Sequence, residues 1–434
     1  MRLSGRIAAA IEVIDDMATR HRPVSLALRD WGQANRFAGS KDRAAIGNLV
    51  YDVMRKRASH AHAMQSDSGR ALVLSVVVRD WGQSVEQLNA AFAEDKFAPD
   101  AISTSEQKLL DKKKPLAGAP DHVKADLPEW LVPAFKRVFG KDWVGQAQAL
   151  SNRPPLDMRI NTLKSDMKKV LKSLERFSPV STNIATGGLR IAPGVRDERT
   201  PNVQVDEAFL KGGLEIQDEG SQIVSALCAP IPGSQVLDYC AGAGGKTLAL
   251  AALMQNKGQI FAHDTDRNRL APIFDRLKRA GIRNVQVRGP QPGSMDNLVA
   301  KMDKVIVDAP CTGTGTWRRH PGAKWRLSEM QLQKRVAGQA EILNKAKEFV
   351  VPGGELVYIT CSLLPEENHQ QVEAFIKRSG IFSPIDIEAR WTEIFPESEQ
   401  KPLFDGLGAT LSPLSTGTDG FYISLLKKKD KTTP

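Results

Sequence analysis

From Leu214 onward, short apolar runs alternate with stretches of helical length and periodicity, and this alternation constrains the chain more than any other feature. Parallel neighbours in a sheet need a crossover between them, and the intervening stretches are long enough to be helical crossovers. The runs fall at 236–238, 259–263, 285–287, 304–308 and 355–360. A long helix is expected from Ser328, an N-cap with Gln331 at the third helical position, to Val350 before Pro352. The predicted class is therefore α/β, a parallel sheet with helical crossovers.

A chain of 434 residues is too long for one core, and two or three units are expected. Residues 1 to about 110 read as helices, because Ile7, Ala10, Ile11, Ile14 and Met17 recur at helical spacing, as do Ala45, Ile46, Leu49, Val50, Val53 and Met54. In this stretch Arg20, Arg22, Arg29, Arg36, Lys41, Arg43, Arg55, Lys56 and Arg57 outnumber the acids, which suits either a phosphate-binding face or a solvated basic surface. Residues 111–120 combine a Lys run with Pro and Gly and read as an exposed connection. After it come a helix near 130–139, an alternating strand at 156–160 and a helix near 167–174. The expected organisation is a helical domain over 1–120, a small α+β module over 121–213 and the α/β domain over 214–430.

With 41% hydrophobic and 25% charged residues the composition is that of an ordinary globular protein. The balance of 60 Lys and Arg against 50 Asp and Glu, net +10, favours a polyanionic partner such as nucleic acid, and on charge alone also admits a membrane surface. No run of about 18 apolar residues suggests a membrane span, and Glu12, Asp15 and Asp16 interrupt the short apolar run near Met1 before it could act as a signal core. The four cysteines, Cys228, Cys240, Cys311 and Cys361, lack the spacing of a zinc site and the density of a disulfide framework. A cytoplasmic protein without metal is the expectation.

Chemistry gathers at the ends of the predicted strands. The first leads into Asp238-Tyr-Cys-Ala-Gly-Ala-Gly-Gly-Lys-Thr247, whose glycines allow a tight turn and close approach of a ligand to backbone and helix N-terminus. The loop of Cys240, Ala241, Gly242, Ala243, Gly244, Gly245 and Lys246 misses both the dinucleotide and the phosphate-loop spacing; it reads as a nucleoside-cofactor loop or as a plain turn. The second strand leads to Asp264, whose carboxylate can accept both hydroxyls of a ribose; alternatively Asp264 or Asp266 only caps the next helix. The fourth ends in Asp308-Ala-Pro-Cys311 and the fifth in Thr360-Cys-Ser362, bringing two thiols to the sheet edge where ligands bind in such folds.

A thiol, a carboxylate and a nucleoside cofactor together suit alkylation of an unreactive pyrimidine carbon: a thiolate adds to C6 and makes C5 nucleophilic enough to take a methyl group. The target base must leave its stack, which asks for a basic and aromatic rim. Residues 316–326 supply Trp317 and Trp325 among Arg318, Arg319, His320, Lys324 and Arg326, either as that rim or as a structural loop with packed tryptophans.

Four motifs, Asp308-Ala-Pro-Cys311, Thr360-Cys-Ser362 with Pro365-Glu-Glu-Asn368, Gln217-Asp-Glu-Gly-Ser-Gln222 and Gly417-Thr-Asp-Gly-Phe-Tyr422, together resemble the Sun-type (RsmB-like) RNA cytosine-5 methyltransferases over nearly the whole chain. The N-terminal helices, with Asp42-Arg-Ala-Ala-Ile-Gly-Asn-Leu-Val-Tyr51, resemble the NusB-like RNA-binding domain of bacterial members. The resemblance implies a Rossmann-like S-adenosylmethionine-dependent methyltransferase domain. It further implies Cys361 as the nucleophile on C6, Cys311 as the thiol that helps release product, Asp308 at the base edge or the cofactor's amino acid end, and Lys246 as an orienting residue. The loop from Cys240 to Lys246, with Asp264 and Asp308, would hold the cofactor. Without the resemblance the two thiols are interchangeable. The implied partner is RNA, ribosomal or in an assembling small subunit, bound by a monomer.

Two departures stand out: Gly242 and Ala243 replace the family's Ala-Pro, loosening the turn, and Gly289 stands where an acid commonly meets the adenine amino group. They keep open a non-catalytic RNA-binding assembly factor. Cys228 reads as core, His263 and His369 as structural or solvent-facing, and Lys427, Lys428, Lys429 and Lys431 as a solvated tail or, alternatively, as added phosphate contacts.

Overall fold

A computed structural model describes residues 1–430, and every count or absence stated refers to these. Lys431 lies outside them. The chain divides into two compact units, one of residues 1–154 with 193–200 and 317–327, the other of 155–192, 201–316 and 328 onward.

The first unit is helical. Along the helix Leu3–Arg20, Ile7, Ala10, Ile14 and Met17 are buried, and they meet Ile46, Leu49, Val50 and Val53 of Ser40–Arg55 and Leu72 and Val76 of Gly69–Arg79. Both periodic stretches thus face one core. Capping boxes at Ser84/Gln87 and Ser103/Glu106 start two of the shorter helices.

Of residues 316–326, read above either as a basic aromatic rim or as a structural loop with packed tryptophans, 317–326 belong to this unit, and both tryptophans pack while His320 and Arg326 are exposed. Trp317 is 1% exposed and stacks on Phe135 with centroids 6.2 Å apart and planes 7° from parallel. Trp325 packs on the helical core and its Nε1 donates to the Met54 carbonyl at 2.7 Å. Lys324 is buried, its Nζ donating to the Arg55 carbonyl at 3.1 Å and to Ser151 Oγ at 3.2 Å. Burial pushes its ammonium down to about 8 although Asp126 opposes the shift. Pro321 opens a short helix, Pro321–Lys324, that helps turn the segment inward. Aromatic and basic residues in alternation suit a wet groove and a packed insertion equally, so composition could not separate the two.

The second unit carries two sheets. The smaller joins β1 (Leu156–Ile160), β2 (Val180–Ser181), β3 (Gly188–Ile191) and β4 (Leu214–Ile216) in the order β2-β3-β1-β4. Met158, Ile160, Leu189 and Leu214 share a core with Val170 and Leu174 of the helix Met167–Leu174.

The larger sheet has nine strands: β5 (Gln235–Asp238), β6 (Gln259–His263), β7 (Val285–Arg288), β8 (Met302–Asp308), β9 (Val350–Thr360), β10 (Phe382–Pro384), β11 (Leu403–Phe404), β12 (Ala409–Leu411) and β13 (Phe421–Lys428). Its order is β11-β12-β13-β9-β8-β5-β6-β7, with β10 on β13. β5 to β9 are parallel, and β13 is antiparallel to β9. The order reverses between β5 and β8, and in open α/β sheets a crevice opens at the carboxyl ends of strands at such a switch point. All five predicted strands form.

Two differences from expectation have local causes. β9 starts at Val350 rather than at 355, because the Pro352-Gly353-Gly354 segment that reads as a breaker is absorbed in a register shift between Met302↔Val350 and Lys304↔Glu355. The lysines expected as a tail instead end β13: Lys427 pairs with Glu355, Lys428 Nζ donates to the Val350 carbonyl at 2.7 Å, and Lys429 Nζ to the Gly380 carbonyl at 2.9 Å. The helix expected from Ser328 runs Glu329–Ala346, with Ser328 and Gln331 in a capping box.

Candidate active site

The loop after β5 folds back on itself because Gly242 and Gly244 take φ of 50° and 82°, the left-handed region. A Cβ at residue 244 would lie 2.5 Å from Ile273 Cγ1, so glycine is required there sterically as well. The helix Gly245–Leu253 follows at once. Where the resembling family has proline, Ala243 is braced from outside: its carbonyl accepts from Arg276 Nη1 at 2.8 Å, and Arg276 Nη2 is held by Glu215 of β4 at 3.1 Å.

Of the two aspartates, Asp266 is the one that caps the next helix, Arg267–Leu270, by accepting from the N–H groups of Asn268 and Arg269. Asp264 is buried at the end of β6 and accepts the Gly242 N–H at 2.9 Å, tying the two strand-end loops together. Its other oxygen accepts the Asp266 N–H at 2.8 Å. Gly289 directly follows β7, and its carbonyl accepts from Ser294 Oγ at 2.8 Å.

Asp238, quoted in the motif but not assigned a role, is a buried carboxylate at the end of β5. Thr247 Oγ1 donates to its Oδ2 at 2.6 Å, while Oδ1 is buried without a hydrogen-bond partner. Burial pushes this acid up to about 7. An orphaned acceptor beside a glycine loop fits a ligand that brings its own donors.

Lys246 and Asp308 form one unit, Nζ standing 2.6 Å from Oδ2. Lys246 is 7% exposed. Burial alone would lower its basicity, but the Asp308 carboxylate outweighs that and holds the ammonium above its ordinary value. Nζ also lies 5.3 Å from the centre of the Phe421 ring.

Cys311 and Cys361, on the turns after the adjacent strands β8 and β9, have their sulfurs 3.3 Å apart. The contact with Cys361, then burial, hold the Cys311 thiol well above its ordinary range. Cys240 is half-buried and its thiol is also pushed up by burial. Cys228 is core, its thiol pushed up to about 12 by burial. His263 is buried, with Nδ1 3.0 Å from the Arg288 carbonyl.

The motif residues Glu367 and Asn368 sit beneath the thiols. Glu367 Oε1 accepts from the Thr312 N–H and from Gln339 Nε2, both at 2.9 Å, and Oε2 accepts from Thr312 Oγ1. Asn368 Oδ1 accepts from Thr360 Oγ1 at 2.6 Å and its Nδ2 donates to the Ser362 carbonyl at 2.9 Å. Only their place in a resembling motif pointed to them, and Gln339 had no sequence signal beyond lying in a helix.

A glycine turn after the first parallel strand, acids at the ends of β5, β6 and β8, and the reversal of strand order between β5 and β8 define the Rossmann-like fold of S-adenosylmethionine-dependent methyltransferases. The family model for 16S rRNA methyltransferase RsmB/F matches residues 225–427, and that for the RsmF/B-like ferredoxin-like domain matches 127–193. The chain is 31% identical over 328 residues to the probable ribosomal RNA small subunit methyltransferase B of Synechocystis sp., covering 74% of this chain and 70% of that protein. It is 25% identical to ribosomal RNA small subunit methyltransferase B of Shewanella oneidensis, covering 97% of this chain and 98% of that one. A methyltransferase homolog protein from Pyrococcus horikoshii superposes with a TM-score of 0.58 at 27% identity, over 71% of this chain and 97% of the other. The chain belongs to the RsmB/F family of 16S rRNA methyltransferases.

Proposed function

We propose that the protein methylates C5 of a cytidine in small-subunit ribosomal RNA through a covalent adduct between Cys361 and C6 of the base. The observation that carries this reading is the pair of sulfurs 3.3 Å apart beside the Lys246–Asp308 pair. S-adenosylmethionine supplies an electrophilic methyl group. The loop from Cys240 to Lys246, the buried Asp238 and Asp264, and Asp308 are the residues that would hold it.

The chain's own groups account for the remaining work. Cys361 as thiolate adds to C6, and the electron density thus placed on C5 lets that carbon take the methyl group. Asp308, its charge balanced by Lys246, contacts the base edge and stabilises the adduct. A thiolate at Cys311 takes the C5 proton and becomes the thiol, the C–H electron pair restores the C5–C6 double bond, and the Cys361 sulfur leaves C6 as a thiolate. On this reading a three-part division, 1–120, 121–213 and 214–430, assigns RNA capture to the helices and chemistry to the last part. The protein acts as a cytoplasmic monomer on free RNA or an assembling subunit.

Incubation with RNA from a strain lacking the protein and with methyl-labelled S-adenosylmethionine tests this. Wild type should label cytidine C5, Cys361→Ser should neither label nor form adduct, and Cys311→Ser should accumulate adduct because attack survives while release fails. RNA binding by wild type without any transfer would favour the non-catalytic assembly factor.

A further inference from the structure

We propose that Glu367 and Asn368 form a two-residue clamp that sets the separation of the Cys311 and Cys361 thiols, and so act as positioning residues for release and attack respectively. The inference rests on the two-thiol reading above.

Asn368 clasps both chain neighbours of Cys361, and Glu367 together with Gln339 clasps both chain neighbours of Cys311. On the Cys311 side, Glu367 holds the following residue by the Thr312 N–H and hydroxyl, and Gln339, itself bonded to Glu367, holds the preceding residue by donating to the Pro310 carbonyl at 3.1 Å. On the Cys361 side, Asn368 holds the preceding residue through Thr360 Oγ1 and the following one through the Ser362 carbonyl. Glu367 and Asn368 are sequential, so the two loops are fixed to one short piece of backbone. That piece is anchored in turn, because Tyr358 Oη donates to the Glu367 carbonyl at 2.7 Å. Both residues are buried, Glu367 completely.

A buried carboxylate is costly unless its oxygens are satisfied. Burial here raises Glu367's proton affinity while the bonds from Ser362, then Thr312 and Gln339, oppose that rise. A neutral residue would fill the space, so the carboxylate's presence points to what it holds. Thiol chemistry at two sulfurs needs both placed to within about 0.5 Å, and misplacement by about 1 Å costs on the order of 10²-fold in rate.

The test compares Glu367→Ala and Gln339→Ala with Asn368→Ala, in the full chain, reading methyl transfer, covalent adduct and KM for RNA. The first two should slow turnover about 10²-fold with accumulated adduct and an unchanged KM. Asn368→Ala should lose turnover and adduct together, and Asn368→Asp, which keeps the acceptor for Thr360, should recover part of both. Reversed directions would keep the clamp and overturn the assignment of attack to Cys361. Equal effects of the same sign, or none, would overturn the clamp. A second measurement needs no reaction: closure of a Cys311–Cys361 disulfide by diamide, which accepts the two hydrogens. Its rate should fall about tenfold in all three variants if the clamp sets the spacing, and stay unchanged if it does not. If Glu367→Ala does not fold, Thr312→Val removes the hydroxyl bond alone and carries the same prediction.

Discussion

Cys311 and Cys361 are 50 residues apart in sequence, yet their sulfurs lie 3.3 Å from each other. The closeness follows from strand order, since β8 and β9 are parallel neighbours whose register pairs Asp308 with Ile359. Any residue three places after Asp308 and any residue two places after Ile359 then emerge side by side at the carboxyl edge. The site is a property of the sheet before it is a property of the thiols.

The Lys246–Asp308 pair should respond asymmetrically to substitution. Lys246 is buried while the Asp308 side chain remains one-third exposed. Asp308→Asn therefore strands an ammonium away from water, and Lys246→Met strands only a carboxylate that water can reach. The expected order of melting temperature is wild type, then Lys246→Met, then Asp308→Asn, and the double variant should be more stable than the two single losses sum to. Both single variants should lose about 10²-fold or more in methyl transfer. Thermal melts and initial rates on the four proteins check this.

Asp238 predicts a pH dependence. Its acid is raised from 3.8 to about 7 by burial, so between those values the folded protein holds a proton that the unfolded chain has released. Stability from this group consequently falls as pH rises from about 4 to about 7, by up to about 4 kcal/mol. Asp238→Asn, which keeps an acceptor for Thr247, should remove the slope. Denaturant unfolding of both proteins at pH 5 and pH 8 should show the variant gaining relative to wild type at the higher pH. A constant difference would contradict the shift.

Trp317 should behave as a core residue. Trp317→Ala removes a stacked, 1% exposed indole, and such truncations cost about 3–5 kcal/mol. The helical unit should melt early. A variant of wild-type stability with weakened RNA affinity would instead restore the rim reading for this segment.

These cases show what sequence carries and what it does not. The five parallel strands were legible because each is a short apolar run between helical stretches, and the candidate-site motifs because they sit at strand ends where topology concentrates ligands. Strand β13 was missed: Phe421–Lys428 carries the first two of three consecutive lysines, 427–429, that read as a solvated tail, and its pairing with β9 and β10 holds those two in the sheet. For residues 316–326 the rim and the packed loop could not be separated because partner identity, here Phe135 and Met54, is invisible to composition. Arg276 as a brace for Ala243 and Gln339 as a brace for Pro310 depend on helix rotation and reach, which periodicity does not specify.

The most direct measurement uses RNA in which the target cytidine carries fluorine at C5. With S-adenosylmethionine present, methylation leaves no C5 proton to remove, so the adduct is trapped on whichever sulfur attacked C6. Peptide mass spectrometry of the trapped complex should find RNA on Cys361. Attachment to Cys311 would contradict the assignment, and transfer of methyl to ordinary RNA with no trapped adduct on either cysteine would contradict covalent catalysis itself.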